Sequence, residues 1–133
     1  MTSVEWLQGF LRAHGGVAGT VHRVVAADLM ELDAAVNIPP PVQQATQRIP
    51  AGKGMAGIAM AEDRCVSTCN LKEDASGAVK PGAKAVGAGA AVAFPVHDGR
   101  GQVRAVIGIA WPEARQLADE ELRALQTEGE AMP

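Results

Sequence analysis

Tyrosine is absent from the chain, and the remaining aromatic residues amount to two Trp and two Phe. Nucleic-acid binding needs a basic face with aromatic residues interleaved, and a formal charge of -3 supplies neither. Long apolar runs are also missing. The longest, around Ala88 to Val96, falls far short of the roughly 20 residues that cross a bilayer, so neither nucleic acid nor a membrane is an expected partner. Cysteine is nearly absent: Cys65 and Cys69 cannot make a disulfide framework. At i and i+4 on a strand their Cα atoms would stand about 13 Å apart, beyond disulfide reach. Met1 to Phe10 includes Glu5 and Trp6 and has no basic start or long apolar run, so no secretory signal is read there. Reduced thiols without such a signal point to a cytoplasmic protein.

Acidic residues are missing from two stretches. Between Asp33 and Glu62 the charged residues are only Arg48 and Lys53, and between Asp74 and Asp98 only Lys80 and Lys84. The C-terminal end reverses the balance, with Glu113, Asp119, Glu120, Glu121, Glu128 and Glu130 against Arg115 and Arg123.

The 133 residues, 47% hydrophobic, suit one domain with one core. Val4, Leu7 and Leu11, with Trp6 and Phe10, recur at helical spacing ahead of Gly15-Gly16, which predicts a helix over 3–13. Two strand-like runs follow, Val17 to Ala27 and Leu29 to Ile38, bent near Asp28. Pro39-Pro40-Pro41 ends the second, because three residues without an N–H cannot join a central ladder. Val42 to Arg48 reads as a short helix or loop, Lys53 to Glu62 as a short helix, Cys65 to Cys69 as a strand, and Asn70 to Gly87 as loop. Ala90 to His97 and Gln102 to Trp111 form a hairpin about Asp98-Gly99-Arg100-Gly101, and Leu117, Leu122 and Leu125 mark a closing helix. Hairpin-linked strands predict an α+β sandwich: an antiparallel sheet with both terminal helices on one face and the central segment on the other.

Gly52-x-Gly54-x-x-Gly57 matches a dinucleotide fingerprint, yet the context is wrong. Pro50 would interrupt the strand that should feed the turn, and hairpins follow rather than βαβ units. Lys53 lies between the glycines, not after the last, which rules out a P-loop. A metal site would require Cys65, Cys69, His22 and His97 to converge, and C-x₃-C on a strand lacks the chelating turn. No cofactor is expected.

The segment RIPAGKGMAGIAMAEDRCVSTCNL resembles the central signature of GAF domains, a glycine-rich entry to a short helix followed by a small strand and polar loop. GAGAAVAFPVHDGRGQVRAVIGIAW is similar to the family's paired central strands, with Pro95 and Gly108 at the matching places, and QLADEELRALQ to its closing helix, although Ala118 stands where a Ser or Thr cap is frequent. The resemblance covers about 17–126 and implies one GAF-like domain, residues 1–133, preceded within it by the 3–13 helix. It implies a five- or six-stranded antiparallel sheet whose ligand pocket is roofed by segments 39–62 and 70–87, which overlap the two acid-free stretches.

The resemblance therefore implies a stand-alone sensory or regulatory domain that binds a small, anionic ligand and signals through a separate partner protein. A helix opening near Gly54 offers free N–H groups and a positive dipole end to an anion. The candidate ligand-binding residues are Arg48, Lys53, Gly54 and Met55 for charge, with Thr68, Asn70 and Ser76 for polar readout. The family's cyclic-nucleotide pattern Asn-Lys-Phe-Asp-Glu is absent, and neither cysteine is followed by the His common at bilin attachment. Two alternatives stand beside this reading. One is a thiol enzyme of the free methionine sulfoxide reductase type using Cys65 or Cys69, against which the family's acidic signature after the strand is missing. The other is a ligand-free module that pairs through its terminal helices, where Trp6, Phe10, Leu11, Leu122 and Leu125 could form a homodimer.

Overall fold

The N-terminal helix is fastened at both ends by its own sequence. The Thr2 hydroxyl accepts the Glu5 N–H at 3.1 Å while the Glu5 carboxylate accepts the Thr2 N–H at 3.0 Å, a reciprocal cap that satisfies two otherwise free donors. Helix α1 runs Ser3–His14 and stops at Gly15, which takes φ 70°. Its buried stripe of Leu7, Phe10 and Leu11 faces the sheet.

The computed structural model describes residues 1–68 and 89–133. After α1 come β1 (Ala18–Ala26), β2 (Leu29–Val36), α2 (Pro40–Ala45), β3 (Arg48–Pro50), α3 (Gly54–Glu62), β4 (Val66–Thr68), β5 (Ala90–His97), β6 (Val103–Trp111) and α4 (Asp119–Gly129). The strands make one six-stranded sheet in the order β3-β2-β1-β6-β5-β4, antiparallel at every pairing. This is the expected α+β architecture, with six strands rather than five. Helices α1 and α4 share one core with the inner face, where Leu125 of α4 lies against the cluster of Phe10 and Phe94. Helix α3 covers the other face with Ala59 and Met60 against Met30, Ala93 and Val106. Phe10, Leu11 and Leu125 are buried, and Trp6 and Leu122 pack partly buried against the same core.

Two expectations change in detail. The proline run not only ends β2 but starts α2, with prolines in the first helical turn, where the missing N–H costs nothing. Pro50 does not break a strand: Arg48, Ile49 and Pro50 pair with Glu31, Met30 and Leu29 as the sheet's edge, the place in a sheet that tolerates a residue with no donor. The conclusion about the glycine pattern stands on topology. Gly52 and Gly54 take φ 87° and 69° to turn the chain, and a Cβ on Gly57 would lie 2.6 Å from the Pro50 carbonyl oxygen. The third glycine thus lets α3 start against its own entry strand.

That backbone contact cannot yield, whereas a Cβ on Gly9 of α1 meets nothing within 4 Å. Gly57→Ala should therefore lower unfolding stability by about 1–3 kcal/mol, and Gly9→Ala should raise it by roughly 0.5–1 kcal/mol. Urea denaturation of the two variants checks both signs; a neutral Gly57→Ala would refute the close-packing account.

Candidate functional site

Period-2 alternation on the central strands sorts side chains by size. On β5 and β6 the helix-facing positions hold Val92, Phe94, Val96, Ile107, Ile109 and Trp111. The intervening positions hold Ala91, Ala93, Gly108 and Ala110. Register aligns these small residues into rows: Thr68, Ala91, Ala110 and Ala18 form one, and Val66, Ala93, Gly108 and Thr20 the next. A third row, Pro95, Val106 and His22, lies next to that. Helix α3 packs on Val106 and Ala93, and the low rows are left with space above them.

That space is a cavity of about 410 Å³ between the sheet and the segment running from α2 through β3 into α3, within the range of small-molecule sites. Its floor is Ala18, Thr20, Ala91, Ala93, Gly108 and Ala110, and its roof includes Ile38, Val42 and Ile49. The charged side chains on its wall are Arg48 and Lys53. Both are exposed at the rim, and among the described residues neither is paired with a carboxylate.

Gly54, Met55 and Ala56 line the cavity as the first turn of α3. Lys53 is the N-cap without a side-chain cap, and no acid occupies the first turn, so the free N–H groups and positive dipole end of this helix meet the same wall as the two cations.

Of the residues expected to bind ligand, the structure thus brings Arg48, Lys53, Gly54 and Met55 together on one cavity. Thr68 is buried and stands in the floor's outermost row, on the edge strand β4, outside the cavity wall. Asn70 and Ser76 lie outside the described residues, as do Cys69, Lys80 and Lys84.

His22 belongs to the wall, a place that the sequence, where it enters only among the metal-ligand candidates, does not predict. It is 2% exposed. Its Nε2 lies 2.8 Å from the Thr46 carbonyl oxygen at the end of α2, a group that can only accept, so Nε2 carries the proton and donates it. Nδ1 is then a lone-pair acceptor, and it is buried without a partner, at a cost of about 1–3 kcal/mol. Burial holds the imidazole pKa below its usual value, against the smaller opposing effect of the Thr46 bond. The signal for His22 was in the alternation: Ala18, Thr20 and His22 share the phase opposite to buried Val21.

Cys65 is remote from this chemistry. It packs half-buried against the helix-side core, its thiol donates to Gln126 Oε1 of α4 at 3.5 Å, and burial pushes its pKa up. A nucleophilic thiol needs the opposite shift. His97, at the end of β5, is held by Asp63 Oδ1 at 2.6 Å from Nε2 and by Glu130 Oε2 at 2.9 Å from Nδ1. Among the described residues no group of three or more His, Cys, Asp or Glu could hold a metal ion.

The sheet, the helix layer and the roofed cavity define an α+β architecture, and sequence comparison names its family. The GAF domain family model matches residues 4–132, and the chain belongs to that family. No curated protein matches in sequence. Solved structures match in fold. Type II free methionine-R-sulfoxide reductase from Thermoplasma acidophilum superposes with a TM-score of 0.75 at 15% identity, over 97% of this chain and 85% of that one. The GAF domain of an Acinetobacter phosphoenolpyruvate-protein phosphotransferase gives 0.72 at 11% identity, over 94% and 72%. Free methionine-R-sulfoxide reductase from Neisseria meningitidis, in complex with its substrate, gives 0.66 at 17%, over 94% and 75%. At these identities the likeness is one of fold.

The two buried or bridged histidines give opposite pH signatures. Hydrogen bonds donated by the ring to Asp63 and then to Glu130 raise the His97 pKa, so its stabilisation is complete below the unfolded value of about 6.5 and is lost as pH rises through the higher folded value. His22, whose folded pKa is lowered, takes up its proton more readily in the unfolded chain and destabilises the fold as pH falls below about 6.5. Melting temperatures recorded from pH 5 to 9 should show His97→Gln flattening the alkaline decline and His22→Gln flattening the acid one; slopes unchanged in both variants would refute these assignments.

Proposed function

We propose that this GAF domain is a regulatory ligand-binding module that takes a small, anionic molecule into the cavity between the sheet and α3 and passes its state to a separate partner protein. The observation that carries the reading is the charge of the wall: a cavity of about 410 Å³ whose charged side chains are Arg48 and Lys53, beside an uncapped helix N-terminus. An anion there meets side-chain cations and free backbone donors together. Membership of the GAF family supports ligand binding in general. The position of Cys65 on the helix side of the sheet favours binding over thiol chemistry at this cavity.

Transmission requires only that the ligand bind one arrangement of the roof better than another. Residues 39–62 supply the roof and much of the contact, so partner recognition belongs to surfaces whose position follows α2 and α3.

A thermal-shift series with inorganic anions, small organic acids and methionine sulfoxide tests the proposal. A bound anion at 100 times its Kd should add about 2.7 kcal/mol of stability. Lys53→Glu should remove most of that gain, and Gly108→Val, which places a branched side chain on the cavity floor, should weaken binding at least tenfold. The reading fails if no anion stabilises the protein. Turnover of methionine sulfoxide that is lost in Cys69→Ser would replace it with the thiol-enzyme alternative.

A further inference from the structure

We propose that the ligand is an organic acid with an apolar body and a hydrogen-bond donor, and that His22 reads this donor through Nδ1. The inference rests on the cavity being an anion site and deepens that reading.

The wall divides the ligand's chemistry into three parts. Arg48, Lys53 and the α3 N-terminus form the end that takes the acid group. Ala91, Ala93, Gly108 and Ala110 of the floor carry no side-chain polar atom and take hydrocarbon, with the Thr20 hydroxyl at their side. A bare inorganic anion would satisfy the first and leave this floor with nothing to cover. His22 is the third part. Its ring is locked by donation from Nε2 to the Thr46 carbonyl, so Nδ1 can only accept, and it is the single buried side-chain polar atom among the described residues with no partner.

Thr20 and Gly108, in the neighbouring row, leave that imidazole unsatisfied: the Thr20 hydroxyl instead lies beside Gly108, within 2.9 Å of where a Cβ on that glycine would be. Nδ1 is closed to solvent, so a donor reaches it only as the side chains around the ring part to admit the ligand. A hydroxyl or ammonium group that fits against the ring as the ligand seats itself would satisfy it. An analogue lacking the group would leave the acceptor orphaned, which is the situation in which a polar site discriminates most strongly.

Calorimetry on the full chain with matched acids tests this. Aliphatic and phenyl-substituted monocarboxylates would be compared with the same acids bearing a hydroxyl or ammonium at position 2 or 3, alongside nitrate and phosphate. The expected result is at least tenfold tighter binding by one donor-bearing series than by its parents. His22→Phe should abolish that preference, while Lys53→Glu weakens every acid alike. As a check that does not depend on a variant folding, the ¹⁵N resonance of His22 Nδ1 in the unaltered protein should shift on titration with the preferred acid. Equal affinity of parents and donor-bearing acids, or an unmoved Nδ1 resonance, would overturn the role of His22 and leave the anion site standing. Nitrate or phosphate binding as tightly as the acids would overturn the apolar body. Failure of every acid and anion to bind would overturn the function proposed above.

Discussion

The structure depends on an unequal division of side-chain volume between the two faces of one sheet. Phe94, Ile107, Ile109 and Trp111 fill the face toward α1 and α4, while Ala91, Ala93, Gly108 and Ala110 pave the other. Hydrophobic burial on the first face, worth about 1.5–3 kcal/mol for each large side chain, anchors the central strands without help from the second. The second face is therefore free to be incompletely filled. A sheet with bulky residues on both sides would pack α2 and α3 down to native density and leave no cavity.

The roof stays above that floor because it is tied at few points. Helix α3 is seated by Met60 and Ala59 over Val106 and Ala93, and its start is pressed to β3 through Gly57. The end of α2 is joined to the floor by His22 and Thr46. Between these ties the chain carries no acid from Ala34 to Ala61, so the rim acquires a positive sign by omission as much as by Arg48 and Lys53. Two cations alone would be weak in solvent; here they stand beside an apolar floor and free backbone donors, which gives the cavity one charged end.

Much of this was legible in particular residues. The hairpin about Gly99 and Gly101, the stripe of α1 and the glycine-opened α3 follow from periodicity and turn chemistry, and Arg48, Lys53, Gly54 and Met55 come together because the acid-free stretch folds over the sheet as one unit. Edge placement was not legible: the same Ile49-Pro50 that argues against a central strand is acceptable at β3, and only pairing with Leu29 and Met30 reveals it. His22 was visible as a residue but not as an unpartnered acceptor, because its condition is set by Thr46, 24 positions away. Small residues at alternate positions of β5 and β6 were equally compatible with a cavity and with tight backbone packing. The difference lies in how far α2 stands from the floor, which no local pattern encodes.

The two layers flanking the sheet meet at its end through His97. Asp63 closes α3 in the left-handed conformation, φ 51°, and its carboxylate reaches Nε2, while Glu130 at the end of α4 accepts from both the His97 backbone N–H at 2.7 Å and the ring. Arg104 adds a bond to the His97 carbonyl at 3.0 Å and one to the Met132 carbonyl at 2.8 Å, holding the C-terminal turn to the same point. Helix α3 thus presents its N-terminus to the cavity and its C-terminus to a side chain that is also held at the end of α4. The cavity lies on one face of the sheet and the terminal helices on the other, and this cluster of side chains joins the two layers at the sheet's end.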